Sequence, residues 1–344
     1  MSLIDPRRYG VGDPGNRLLG LAQDPGSASE LTGALRALAA DQRDADISGA
    51  LAAAPSQPVY SRLWHALSAA VEKPAQGEGV TARVFAMPWI IVCGGGAAAT
   101  LPCVLPDVGE VARVLEANGV FGASRNLGLG NALCSIESLE SLRPSEVLEW
   151  SQAPGTRDLP PAPIHVTRGV EEVHVRFLVG AAIAPAHLPG IVETGANVGQ
   201  WGTAALRAMA TQLAGAGVQV LPMPRPPSGL YTAAFNGRRA GVEGAFNLFM
   251  SNAVRRIRMA VGDPSVTLSS HASGELRVTL WTPFDDSLVE GFRWPLHPAD
   301  DLDEVEHTLS AMIGECRLAE PDYAPGIQPD FSRTGAVLYP TSQD

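Results

Sequence analysis

The feature that most constrains the fold is an uncharged segment, residues 84–106. It is long enough to cross a bilayer as a helix, but such a helix must satisfy all its own backbone hydrogen bonds in lipid. Pro88, Pro102 and the triplet Gly94-Gly95-Gly96 interrupt the segment, and these residue types break helices. The pattern therefore predicts a buried strand over residues 83–93 followed by a loop, and no membrane span.

Charge and composition restrict the classes of partner. The chain has 344 residues, of which 45% are hydrophobic and 18% charged, enough to build one large or two medium domains. Its net charge of −11 opposes binding to double-stranded nucleic acid. Arginine replaces lysine almost everywhere, which is typical of a GC-rich bacterial genome. The single lysine, Lys73, leaves no candidate for Schiff-base or Walker-type chemistry.

The four cysteines contain no C-x-x-C pair, so buried free thiols are favoured over disulfides or metal ligands. The first residues lack the apolar run of a signal segment, and we expect a cytoplasmic protein. Gly94-Gly95-Gly96 followed by three alanines fits a dinucleotide-binding turn. Pro102 and Pro106 would stop the helix that such a turn requires, so a tight core turn is the preferred interpretation and no cofactor is expected.

Apolar spacing predicts helices before residue 72 and an α/β pattern after it. A capping box at Asp107 to Glu110 predicts a short helix, and further elements are a strand over residues 133–139 and a helix over residues 144–150. In the second half the pattern predicts a strand over residues 173–179, a long central helix over residues 239–261, an antiparallel meander over residues 266–294 and a helix that begins at Asp300-Asp301.

These elements together predict an α+β protein, with a helical N-terminal segment and a small α/β unit before a mixed sheet with the long helix and the C-terminal meander and helix. Proline and glycine content predicts a lobe over residues 1–152, a linker over residues 153–163, a second lobe over residues 164–319 and a Pro-rich tail over residues 320–344. One sheet that continues across the linker is the alternative.

The arginines supply the strongest candidate site. Residues 225–262 carry six arginines and a single acid. Arg238 and Arg239 are predicted at the start of the long helix, where the helix dipole opposes cations and favours a bound anion. Arg255, Arg256 and Arg258 are predicted in its last turns, where the dipole favours them without any ligand, or where they meet acids of the first lobe.

A polar strand face is a second candidate. His174 and Arg176 alternate with the apolar face of their strand, and Arg277, Thr279 and Trp281 do so on another strand. If the two strands pair, these residues form one polar face, which is either a binding site, a solvated surface or a protein interface.

No metal is expected. The histidines lack zinc-binding spacing, and the acids between His297 and His307 are the ordinary complement of a helix start.

The hypotheses about function depend mainly on catalytic motifs that the sequence does not contain. G-x-S-x-G, S-x-x-K and HRD-like motifs are absent, so no catalytic nucleophile can be named and enzymatic activity stays open. The first hypothesis is a cytoplasmic, non-catalytic binding or assembly protein that acts on a protein partner or on further copies of itself. The alternative is an enzyme or sensor that binds phosphate or carboxylate through Arg238 and Arg239, with His174 and Arg176 as further site residues.

Overall fold

A computed structural model describes residues 12–41, 43–72, 79–94, 96–122, 124–142, 144–152, 155–185, 198–213, 215, 217–222, 228–271, 274–285, 287–323, 330–331 and 337–338. The architecture is mixed α+β, with a long helix and C-terminal antiparallel strands and helix, which confirms the predicted class. None of the helices within these residues combines the length and the apolar character that a bilayer span requires.

The helices of the described residues are α1 (Asp13–Gln23), α2 (Ala28–Ala40), α3 (Asp44–Ala52), α4 (Gln57–Glu72), α5 (Val108–Ala117), α6 (Ile136–Ser141), α7 (Pro144–Leu148), α8 (Val198–Gln212), α9 (Leu230–Ala260) and α10 (Leu302–Glu315). Short 3-10 helices cover Pro25–Ser27 and Glu149–Gln152.

The strands are β1 (Val80–Cys93), β2 (Thr100–Leu101), β3 (Arg125–Gly130), β4 (Gly155–Arg157), β5 (Ile164–His165), β6 (Glu172–Pro185), β7 (Val218–Pro222), β8 (Ser265–His271), β9 (Glu275–Trp281), β10 (Glu290–Pro295), β11 (Asp322–Tyr323), β12 (Asp330–Phe331) and β13 (Val337–Leu338).

The chain forms two compact units. The central unit takes the described residues of Asp24–Ile47 and His65–Gly241. The terminal unit takes those of Met1–Gln23, Ser48–Trp64 and Val242–Asp344.

The central unit is built on a five-stranded sheet in the order β4-β3-β6-β1-β7. The uncharged segment enters it as predicted, because β1 pairs antiparallel with β6 along all of its length. Both sheet faces are covered. Apolar residues of α5 and α8 lie on one face, and α6, α7 and the first turns of α9 lie on the other. Burial on both faces explains why β1 is apolar from Val84 onward instead of alternating.

The Pro-rich segment after Gly155 is bonded into this unit. The backbone N–H of Asn131 donates to the carbonyl of Arg157, and the Asn131 side chain bonds Asp158 and Leu159. β3 precedes this segment and β6 follows it, and the two strands are neighbours in one sheet. The central unit therefore has the alternative arrangement, in which one sheet continues across the segment. The exact limits of independently folding lobes stay a prediction.

The terminal unit contains the predicted meander, a four-stranded sheet in the order β10-β9-β8-β11. β8, β9 and β10 are antiparallel, and β11 runs parallel to β8. The apolar side of this sheet is covered by α10 and the later turns of α9, through residues such as Phe246, Ile257 and Leu309. Two aromatic side chains of α4 contact the His297 ring, those of Tyr60 and Trp64.

Two predicted elements differ from the structure. The strand expected over residues 133–139 is wrong, because Cys134 makes only an isolated bridge with Phe177 and α6 begins two residues later. Ser135 caps this helix by accepting a hydrogen bond from the Ser138 N–H at 3.1 Å, and a local cap of this kind overrides strand propensity. The long helix begins at Leu230 and not at residue 239.

Candidate functional site

Arg238 and Arg239 lie in the third turn of α9 and not at its start. The helix dipole acts within the first turn, so it does not oppose the charges of these two arginines. The prediction that they lie at the helix start, on which the anion site was based, is therefore wrong. Both arginines have interaction partners in the protein. Hydrogen bonds from its own backbone N–H and from Ser135 lower the pKa of Glu137, and the positive charge of Arg238 lowers it further. An anion-binding role for the two arginines stays a prediction.

Glycine explains why α9 extends further back than its sequence suggests. Asn236-Gly237 resembles a turn, but Gly237 and Gly241 face β6 inside the helix. A Cβ atom at Gly237 would overlap the Phe177 ring, 2.6 Å from its Cε1 and closer still to its Cζ, and one at Gly241 would lie 3.0 Å from the Val175 side chain. The absence of side chains therefore lets the helix backbone approach the sheet, a use of glycine that a single sequence does not reveal.

Arg176 on β6 donates side-chain hydrogen bonds to three backbone carbonyls. Its Nε donates to the carbonyl of Ala162 at 3.0 Å, Nη1 donates to that of Val175 at 2.9 Å and Nη2 donates to that of Pro163 at 3.3 Å. Proline lacks an N–H, and a Pro-rich stretch offers its carbonyls few backbone partners of its own. The guanidinium therefore fastens this stretch to the sheet, and most of its donors are already used.

His174 lies two residues before Arg176 and forms a pair with Glu172. The His174 Nε2 and the Glu172 Oε2 are 3.3 Å apart, and both side chains are about one-quarter exposed at 24%. Burial and the nearby Arg176 charge lower the pKa of His174, while Glu172 acts in the opposite direction. Glu172 also accepts from the backbone N–H of Thr167. A neutral imidazole oriented by a carboxylate could act as a base.

The expected polar face across two strands is wrong. His174 and Arg176 lie on β6 in the central sheet, whereas Arg277, Thr279 and Trp281 lie on β9 in the other sheet. The β9 residues are also not a solvated surface, since Arg277 and Thr279 are 4% and 0% exposed. Arg277 is paired with Glu275. Arg277 and Thr279 therefore belong to the interior of the terminal unit, and Trp281 is half-buried.

The cysteines are free thiols. Cys93, Cys103 and Cys134 are buried, as predicted, whereas Cys316 is half-buried. Burial raises the pKa of all four thiols, and that of Cys134 rises to about 11. A thiol nucleophile needs a lowered pKa, so the three in the central unit have the character of structural residues.

The acids after His297 serve the start of α10. Asp301 caps the helix by accepting from the Glu304 N–H at 3.2 Å, and Asp300 accepts from the His297 N–H at 2.7 Å. The helix-start interpretation is therefore confirmed. Across the part of the chain that the structure describes, no three His, Cys, Asp or Glu side chains gather closely enough to hold a metal ion.

A groove in the terminal unit is a site that the sequence did not suggest. We call it the α9 groove. It encloses about 470 Å³, and its lining residues are Met250, Ser251, Val254, Arg255, Arg258, Met259 and Cys316. Met250 and Val254 are 1% and 4% exposed and form an apolar floor, because residues four apart share one helix face. Met259 is 82% exposed at the rim.

The three arginines at the end of α9 differ in their partners. Arg258 pairs with Asp263 and donates to the carbonyl of Cys316 at 2.9 Å, which closes one wall of the groove. Arg256 pairs with Glu290 at 3.1 Å, away from the groove lining. Arg255 lines the groove and is exposed, and within the described residues no hydrogen bond or ion pair engages it. The prediction that these arginines meet acids of the first lobe is therefore wrong for Arg256 and Arg258, because their acidic partners follow α9 in the chain.

Comparison with known proteins adds no functional label, because no family model, no curated protein and no solved structure matches the chain. The geometry therefore carries the functional argument. Spacing along the sequence did not reveal the groove, because Met250 and Val254 are two of many apolar residues in the predicted long central helix. The available signal was Met259, an apolar residue in the last turn of that helix.

Proposed function

We propose that the protein is a non-catalytic binding or assembly protein, and that the α9 groove is where its partner protein docks. One observation carries the proposal: a groove of about 470 Å³ joins a buried apolar floor to a methionine that is 82% exposed. Exposed apolar surface that continues into an apolar groove is typical of an interaction site, whereas a single exposed apolar residue elsewhere on a surface is not. Methionine suits this role, since its flexible thioether adapts to different apolar surfaces.

The chemistry of the lining supports binding over catalysis. Among the residues that the structure describes, the lining contains no histidine and no carboxylate, so these residues offer neither a general base nor a general acid of ordinary pKa. Its one thiol, Cys316, has a pKa raised by burial, and this makes it a weak nucleophile at neutral pH. The groove therefore supplies shape, apolar contact and positive charge.

A cytoplasmic location is part of the proposal. Its support is the state of the cysteines, because all four are free thiols and free thiols are typical of a reducing compartment.

Site-specific cross-linking tests the docking function. Benzoylphenylalanine is placed at Met259 in one variant and at Phe284 in another, since Phe284 is equally apolar, 78% exposed and outside the groove lining. After illumination in an extract of the source organism, we expect a discrete protein adduct from position 259 alone. The adduct is then identified by mass spectrometry.

The identified partner is purified and its binding measured directly. We expect Met259→Ser to weaken binding at least about ten-fold, equivalent to about 1.4 kcal/mol, and Phe284→Ser to leave it unchanged. Adducts from both positions alike, or a purified pair that binds equally well with Met259→Ser, would show that the groove is not the docking site.

A further inference from the structure

We infer that the segment docked in the α9 groove is acidic and amphipathic, with an apolar side chain on the groove floor and a carboxylate on Arg255. This inference rests on the proposed docking function and adds the chemistry of the partner. It follows from the arrangement of the lining residues, the charges among them and the exposure of the rim.

The arrangement of side chains along α9 favours an elongated occupant. Met250 and Val254 are four residues apart and form the floor, while Ser251 and Arg255 form a parallel row beside them. Met259 continues the row by one further turn. An occupant that lies along the helix thus meets apolar floor on one side and a hydroxyl and a guanidinium on the other.

The charges within the groove select an acidic occupant. Of the lining residues that the structure describes, Arg255 and Arg258 are charged and none is an acid. Arg258 is already paired with Asp263. Arg255 has no partner within the described residues, so its guanidinium is available for a carboxylate, with which it can form two parallel hydrogen bonds.

The net charge of the chain sharpens this selection. At −11 most of the surface repels an acidic segment, whereas Arg255 presents at the groove a positive charge that has no partner among the described residues. At physiological ionic strength repulsion from acids more than about 8 Å away is screened, whereas a direct contact with Arg255 is screened much less. An acidic segment is therefore attracted to the groove and disfavoured elsewhere.

The exposure of Met259 favours a protein segment over a small amphiphilic acid. A small molecule that fills the groove leaves the outward side of the Met259 side chain in water. A helix or strand laid along α9 covers the floor and the rim together and removes more apolar surface from water.

The test uses two synthetic peptides with the full-length protein. Both have about 16 residues, about 24 Å when helical, and share one leucine face. The polar face carries glutamates in one peptide and lysines in the other. Affinity is measured by fluorescence anisotropy, and occupancy of the groove by protection of the Cys316 thiol from a maleimide, because Cys316 lines the groove and is the least buried of the four cysteines.

We expect the acidic peptide to bind at least about ten-fold more tightly than the basic one and to slow labelling of Cys316. In about 0.5 M salt this ratio should fall several-fold as the charges are screened. Arg255→Gln should bring the ratio close to one. Arg256→Gln is the matched control, because Arg256 is exposed on the same helix but lies outside the groove lining, paired with Glu290, and it should preserve the ratio.

Each contrary result has one meaning. Equal binding of both peptides, weakened by Met259→Ser, overturns the acidic partner and leaves the docking function standing. Preference for the basic peptide also overturns it, as does binding of decanoate and of neither peptide. If neither peptide binds while cross-linking from position 259 succeeds, the partner chemistry is wrong; if both experiments fail, the docking function is wrong as well.

Discussion

The two parts of α9 pack against their neighbours with side chains of different size. Residues 230–241 belong to the central unit and present small residues to β6, among them Ala233 and Gly237. Residues 242–260 belong to the terminal unit and present large ones, among them Phe246 and Met250. Small residues bring the helix backbone close to its neighbour, whereas large residues keep the neighbour at a distance and leave room between their side chains.

This difference decides what the arginines can do. Near the closely packed part, the Arg238 charge lies near a carboxylate of a neighbouring helix, Glu137. Near the widely spaced part, Arg255 faces a groove and has no partner within the described residues. Two arginines of one helix can therefore be engaged or available, depending on how tightly that part of the helix packs.

The largest effect is expected where packing is closest. Gly237→Ala places a Cβ atom in overlap with the Phe177 ring, and such overpacking should lower the free energy of unfolding by about 2 kcal/mol. Gly33→Ala in α2 is the control, because no atom lies within 4 Å of its added Cβ. It should raise stability by up to about 1 kcal/mol. Urea unfolding measures both, and a neutral Gly237→Ala would mean that the contact is loose.

Within the groove, the engaged and the available arginine should differ. Arg258→Gln removes the pairing with Asp263 and a bond to the Cys316 carbonyl, and should cost about 1 kcal/mol of stability. Arg255→Gln should change stability by less than about 0.5 kcal/mol. Thermal unfolding of the two variants checks this, and the reverse order would show that Arg255 has a structural role.

A smaller effect is expected for Arg238 and Glu137. A double-mutant cycle with Arg238→Gln and Glu137→Gln should give a coupling of about 0.5 kcal/mol in favour of the native pair. The hypothesis of a bound anion makes a different prediction for the single variant Arg238→Gln, which it expects to be at least as stable as the wild type. A stabilising Arg238→Gln would therefore restore the hypothesis that this arginine is held for a bound anion.

The smallest effect is expected for the pH dependence of stability and involves His174 on β6, the strand against which the first part of α9 packs. Burial lowers the pKa of His174 in the folded protein. As the pH falls, the unfolded chain therefore takes up a proton on this histidine at a higher pH than the folded protein does. Stability should fall slightly as the pH drops below about 6.5, the ordinary value for histidine. His174→Gln should reduce this slope and match the wild type at pH 8. Chemical unfolding across this range tests it, and an unchanged slope would assign the proton uptake to other groups.

Local signals in the sequence determined much of the secondary structure. The uncharged run became β1 because prolines and glycines bar a long helix there. Asp107 and Asp301 cap α5 and α10 as their spacing predicted, with side chains that accept from N–H groups three residues on. The meander β8, β9 and β10 followed from short alternating runs between turns. Each of these features depends on residues close together in the chain.

Tertiary structure decided what local signals cannot encode. The start of α9 depends on Gly237 against Phe177, a contact between residues 60 positions apart, and the same residue pair Asn-Gly is a turn signal when nothing packs on it. The separation of Arg176 from Arg277 depends on which strands share a sheet. The α9 groove exists because Cys316 follows α10 and lies beside Val254 and Met259. Which residues face one another across a cavity is fixed by packing, and spacing along the chain does not contain it.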